Sequence, residues 1–413
     1  MTMSRNFRFS IARTGLALVL LLSCAGLRAQ SLMQGSGPGR TVRIFNTDSA
    51  VLESQDARND LPCIVAPVKA RLGFDLRFHA GYEVSVPLRE LAGNEDMLTM
   101  VFRITPEGGK EQAVYFSQKI SVPAIEEGAK GDAYLRGGFD LGEGNYHVDW
   151  LMRDRTERVC SSYWDVEAVL PPKDKQLAIV IPAGGIRAVE QEPFKEEPPV
   201  TRLPEEALNV KVLVNFAPQN ARAATLKPFD TAALISILRS VAREPRITRV
   251  SVVAFNMQEQ RVIYRQDNAE QIDFPALGDA LDSLKLGTVD LNRLGNKHGD
   301  IRFLTKLIAD ECNSAQQPDA LIFAGPKVML EEGVPVETLK QVGDLSYPVF
   351  YMNYNAFPQA VPWRDAIGTA VKYLKGFEYP ISRPRDLWFA WTEIMSRIVR
   401  LRHGRPASAA SSQ

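Results

Sequence analysis

The sequence predicts two domains of different class, an all-β sandwich followed by an α/β domain built on a doubly wound, mainly parallel sheet. Three observations lead there. The chain has 413 residues, too many for one ordinary domain and enough for two that each bury a core. Residues 40–170 read as short segments of period-two alternation with Gly, Pro, Asn and Asp between them. From residue 209 onward, short runs of buried apolar residues alternate with stretches of helical period.

In the first domain the expected strands are "TVRIFN", "VKARLGFDLRFHAGYEVSVPL", "MLTMVFRIT", "AVYFSQKISVP", "AYLRGGFDL", "NYHVDWLMRD" and "VCSSYWDVEAVL". Many short strands without helical pattern between them suggest an antiparallel sandwich of the immunoglobulin-like kind. Trp150 and Trp164 read as core aromatics, and His79, Tyr82, Tyr146 and His147 as strand residues without a catalytic grouping.

The first 30 residues form a separate object. Basic Arg5, Arg8 and Arg13 precede the apolar run "GLALVLLLS" and small residues near Ala29, the layout of a bacterial secretory signal. That run is shorter than the roughly 20 residues that span a bilayer. "LLSC" at Cys24 partly resembles a lipoprotein box and "LRA" before Gln30 an ordinary cleavage site, so a lipid anchor at Cys24 stays open. No later stretch reads as a transmembrane helix. The expected location is secreted or periplasmic, where Cys63 and Cys160, both in the sandwich, are disulfide candidates. Cys312 lies at helical spacing from Leu304 and Ile308 and reads as a buried thiol.

Lys+Arg and Asp+Glu both number 49, which leaves no bulk charge to draw the chain onto nucleic acid. No C-x-x-C spacing occurs and there are 4 His, a composition that argues against zinc. Walker loop, dinucleotide fingerprint and nucleophile elbow are all absent from the sequence, and no cofactor is expected.

Residues 171–208 are rich in Pro and Glu and read as an extended, solvated connector, with "LAIVIP" as a further edge strand of the sandwich. The second domain, residues 209–403, then runs strand "NVKVLVNFA", a helix capped by Asp230, strands "RVSVVAFN" and "RVIYRQ" as a hairpin, helix "FPALGDALDSLKL", helix "DIRFLTKLIADEC" capped by Asp300, strand "DALIFAG", helix "VETLKQV", strand "YPVFYMNYN", helix "WRDAIGTAVKYLKG", strand "FEYPIS" and a last helix with Leu387, Trp391, Ile394, Met395 and Ile398 inward. Residues 404–413 form a disordered tail by composition.

This order of elements resembles the von Willebrand factor type A domain, and the whole chain resembles bacterial secreted proteins in which a β-sandwich precedes one. The resemblance implies a metal-ion-dependent adhesion site with Asp-x-Ser-x-Ser after the first strand, a Thr in a later loop and an Asp after the fourth strand. Those positions fall here on Asn215, Ala217 and Gln219, on Asp300 or Thr288, and on Ala324. Amides and alanines do not replace carboxylate charge on a hard cation, so the reading is a degenerate site without metal. The carboxyl ends of the strands remain the place where open α/β sheets bind ligands. Asn215, Gln219, Asn220, His298 and Asp300 are the rim candidates for a protein or glycan partner, joined by Arg222, Lys327, Asn353 and Asn355; turn and capping chemistry accounts for the same residue types. Tyr351, Tyr354, Phe357 and Trp363 could mark an interface.

The functional expectation is a non-enzymatic interaction or adhesion-type module. The alternatives are an envelope hydrolase using His298 and Asp300 as an acid/base pair and a purely structural assembly component.

Overall fold

The computed structural model describes residues 30–33, 43–108, 112–190, 193–219, 223–284, 286, 298–314, 316–330, 333–356 and 365–403. The expected signal up to Ala29, Cys24 and the tail from 404 lie outside the described residues.

The amino-terminal half is β-sandwich-like. Strands β1 (Ser31–Leu32), β4 (Asp96–Pro106), β5 (Val114–Val122), β7 (Gly144–Arg153) and β8 (Val159–Ala168) form a five-stranded sheet in the order β1-β5-β4-β7-β8. Strands β2 (Ile64–Leu72), β3 (Phe78–Pro87), β6 (Asp132–Leu141) and β9 (Ile186–Ala188) form a four-stranded sheet in that order. Their inward residues, among them Tyr82, Phe102, Phe116, Phe139 and Trp150, make one core. The Tyr146 hydroxyl donates to the Gly142 carbonyl at 3.0 Å, a tyrosine-corner bond. Cys63, just before β2, is disulfide-bonded to Cys160 on β8 and so links the two sheets.

Two local expectations change. In the "TVRIFN" segment the described residues Arg43, Ile44 and Phe45 are not strand, and Asn46 opens helix α1 (Asn46–Ser54). Its apolar residues show little helical period, and Val51 and Leu52 are held by packing on Val101, Leu151 and Val159. "LAIVIP" is irregular, and the added edge strand is β9, paired with β6.

The turn between β2 and β3 carries an ionic cluster. His79 Nδ1 bonds Asp140 at 2.7 Å and Nε2 bonds Asp75 at 3.0 Å. Arg77 reaches Asp140 at 3.5 Å and Glu190 at 3.1 Å. Burial alone would lower the His79 pKa, but the Asp140 and Asp75 carboxylates outweigh it and push it up to about 10.

The carboxyl-terminal half contains β10 (Leu208–Asn215), α2 (Pro228–Ala242), β11 (Ile247–Asn256), β12 (Arg261–Ala269), α3 (Phe274–Asp282), α4 (Gly299–Cys312), β13 (Ala320–Pro326), α5 (Val336–Val342), β14 (Val349–Tyr354), α6 (Ala366–Tyr373), β15 (Phe377–Ile381) and α7 (Pro384–His403). The six strands are ordered β12-β11-β10-β13-β14-β15. Strand β12 runs antiparallel to β11, and the other neighbours are parallel. Residues of α2, α3 and α7 share one core with this sheet, and those of α4, α5 and α6 share another.

The fold class read from the sequence is corrected here. The described residues form a mainly β molecule of three sheets with fifteen strands against seven α-helices, and the third sheet is mixed. This arrangement does not support the doubly wound, von Willebrand A-type assignment. The physical reason is that hydrophobic period reports which faces of each segment are buried, while strand order and sheet number depend on contacts between distant segments. Most described residues of 171–208 are exposed or half-exposed, but several side chains of this stretch are tied to the carboxyl-terminal half. Phe194 packs on the partly apolar face of α3 at Gly278, where a Cβ would come within 2.8 Å of the ring. Glu197 pairs with Arg239 and Arg243, each at 2.6 Å, and Arg202 donates to the carbonyls of Ala242, Glu244 and Glu270.

Lys211, on a strand buried along both faces, is 6% exposed and reaches Glu311 of α4 at 3.1 Å. Burial would raise the Glu311 pKa, but Arg265 and Lys211 hold it below the usual carboxylate range. Replacing one partner strands a buried charge, so Glu311→Ala should cost about 3–5 kcal/mol in a urea unfolding titration. For His79, whose pKa is raised on folding, stabilisation is full below its ordinary value of 6.5 and is lost as pH rises through about 10. The melting-temperature gap between the wild type and His79→Gln should therefore be widest near pH 6 and narrow steadily on going alkaline.

Candidate functional site

The carboxyl end of the six-stranded sheet holds the residues singled out from the sequence. Helix α4 returns from this end: its last turn bears Glu311, which meets Lys211 early in β10, so Gly299 and its neighbours lie towards the rim.

Asn215 ends β10 with 1% exposure, and its Oδ1 accepts from the Met257 N–H at 3.3 Å. Gly325, at φ +138°, presses against it; a Cβ there would lie 2.8 Å from the Asn215 Cβ. Gln219 uses both ends of its amide. Nε2 donates to Asp230 at 2.9 Å, and Oε1 accepts from the Ala356 N–H at 3.0 Å. The Tyr354 hydroxyl donates to the same Asp230 oxygen at 2.9 Å. Burial first, and then the Asp230 charge, raise the Tyr354 pKa and keep it a donor. Asn215 and Gln219 are thus brought together at one end of the sheet, but as internal partners.

Several expectations are corrected by this geometry. Asp230 does not cap α2: the helix starts at Pro228 after Lys227, and the Asp230 carboxylate, inside the first turn, is turned to Gln219 and Tyr354. Asp300 is likewise inside the first turn of α4, which begins at Gly299, and its Oδ1 accepts from the Ile301 N–H at 2.7 Å. The His298 carbonyl accepts from the Arg302 backbone at 3.1 Å. Tyr351 and Tyr354 are fully buried, not interface aromatics. Asn220, Arg222, Thr288, Phe357 and Trp363 lie outside the described residues.

The donor set does not fit the divalent cation that the resemblance implies. Ala217 and Ala324 bring no ligand, and the oxygens of Asn215 and Gln219 are already accepting backbone N–H bonds. Among the described residues no group of three His, Cys, Asp or Glu could hold a metal. Cys312 is free and buried, and burial pushes its thiol up to about 12, far from a reactive thiolate. No helix among the described residues is long and apolar enough to cross a membrane.

A second polar cluster was not visible in the sequence. Asp365 caps α6, its Oδ1 accepting from the N–H groups of Ile367 and Val328, each at 3.1 Å. Burial raises its pKa, the Val328 N–H and Tyr351 pull it down, and Glu378 pushes it up again, for a net rise. Asn353 donates to Glu378 at 2.6 Å. "WRD" ahead of a helix was a capping signal for Asp365; the approach of Glu378 from β15 left none.

Asp230 is the acceptor on which the rim closes. Asp230→Ala leaves the Tyr354 hydroxyl and the Gln219 amide unpaired, and should cost about 2–3 kcal/mol in chemical denaturation; Asp230→Asn, which keeps an acceptor, should cost less.

No protein-family model matches the chain, and no curated protein matches it. Among solved structures, a structural-genomics target is similar at 13% identity over 30% of this chain and 95% of its own, with a TM-score of 0.18. The PilB minor pilin from Streptococcus sanguinis is similar at 9% identity over 74% of this chain and 89% of its own, with a TM-score of 0.29. A Bacteroides uniformis β-glucuronidase is similar at 11% identity, covering 76% of this chain and 38% of its own, with a TM-score of 0.17. These descriptions name no von Willebrand A domain, and likenesses this distant carry no argument about fold or activity.

Proposed function

We propose that this chain is a secreted or periplasmic, non-enzymatic protein-interaction module that meets its partner at the carboxyl end of the six-stranded sheet. The observation that supports this reading most is how that end is finished. Gln219, Asp230 and Tyr354 there are spent on one another, while the Phe229 ring stands 50% exposed beside them. A closed polar network under an exposed aromatic ring suits a broad contact surface rather than a pocket that grips a small substrate. The Cys63–Cys160 disulfide fits an oxidising compartment.

The reading is tested by chemical cross-linking of the purified protein in envelope extract, with binding of the recovered partner then measured directly. Phe229→Lys should weaken that binding by at least about tenfold, whereas Tyr134→Lys, at an exposed ring on the sandwich, should leave it unchanged. Equal loss in both variants, or a partner that is a glycan insensitive to Phe229, would overturn it.

A further inference from the structure

Phe74 lies in the sandwich half of the sequence, in the turn between β2 and β3, yet its side chain is packed in the core of the other half. It is 5% exposed and clusters with residues of β10, α2 and β14. Its ring centroid is 5.5 Å from that of Phe229 and 5.9 Å from that of Tyr354, which it meets edge-on at 80°. Tyr354 is the residue whose hydroxyl closes the rim on Asp230. The ring therefore rests directly on the network that finishes the end of the sheet.

The turn is held in one shape by short-range bonds and by His79. Gly73 N–H donates to the Arg77 carbonyl at 2.8 Å, and Leu76 N–H to the Gly73 carbonyl at 3.0 Å. Leu76 sits at φ +60°, a left-handed conformation that leucine resists. A Cβ on Gly73 would lie 2.4 Å from His79 Nε2, so the imidazole is packed against the turn's first residue. Its two nitrogens tie Asp75, inside the turn, to Asp140, fully buried on β6. The other charged groups around it are Arg77 in the turn, Arg71 opposite on β2, Arg187 on β9 across the strand register from Asp140, and Glu190.

We infer that the 73–77 turn is a latched plug: Phe74 docks the sandwich onto the six-stranded-sheet half and keeps its rim closed, and the Asp75–His79–Asp140 bridge is the latch that holds the plug in place. His79 acts on the rim only through the position of Phe74. The inference does not depend on what the rim binds.

Hydrogen exchange of the full chain tests it. In Phe74→Ala, peptides covering residues 214–219 and 354–356 should exchange roughly tenfold faster, while those around Trp150 stay protected and show that the sandwich is folded. Phe74→Leu, which keeps an apolar side chain, should give a smaller change in the same peptides. His79→Gln should loosen the same rim peptides although it lies on the other half, and should add nothing further in the Phe74→Ala background. Unchanged rim exchange in folded Phe74→Ala or Phe74→Leu would overturn the plug. A His79→Gln effect that is absent, or that persists in full without Phe74, would overturn the latch. Should Phe74→Ala fail to fold, Phe74→Leu and its combination with His79→Gln give the same two readings.

Discussion

Strand β10 is buried on both faces, and most of what is distinctive in the carboxyl-terminal half follows from that. From Val210 to Asn215 this position gives polar side chains no access to water, so Lys211 and Asn215 must find partners inside the protein. Lys211 finds Glu311, which is shared with Arg265. Asn215 finds the Met257 backbone and leaves room only for a glycine at 325. The same constraint continues into the following loop, where Gln219 satisfies Asp230 on one side and the Ala356 backbone on the other. The end of the sheet is polar in composition, but Asn215 and Gln219 there are already committed to internal partners.

That distinction between composition and availability governs the functional reading. From residue types alone, a cluster of amides, a histidine and aspartates at strand ends suggests a place to bind something. The geometry commits Asn215, Gln219 and Asn353 to internal partners and leaves His298 exposed. An aromatic edge at Phe229 also faces outward, supported from below by Phe74 and Tyr354. The two halves of the chain meet there; Arg385 also pairs with Asp174 of the connector at 3.4 Å, and the connector's Val180 N–H bonds the Leu76 carbonyl at 3.0 Å. The connector is tied to the carboxyl-terminal half through Phe194, Glu197 and Arg202.

Local structure was largely readable. Strands with alternating or continuous apolar residues, such as 96–106 and 320–326, sit where the pattern puts them, and the last helix turns Leu387, Ile394, Met395 and Ile398 inward as its period requires. The failures were of two kinds. Asn46–Ser54 has little helical period of its own and is held by tertiary contacts, so no window of sequence marks it. Asp230 and Asp300 were good capping residues by type, but their helices begin earlier and the carboxylates take other donors.

By itself, then, the sequence determined a balanced charge, the apolar faces of most strands and helices, a buried Cys312, and the nomination of Cys63 and Cys160 as partners, because each of these depends on residue type and near-neighbour spacing. Tertiary structure alone decided that three sheets form, that Asn215 and Gln219 are spent internally, and that a phenylalanine from the sandwich lies in the core of the other half. Each of these is a contact between segments far apart in the chain, and hydrophobic period carries no information about which distant segment supplies the other side.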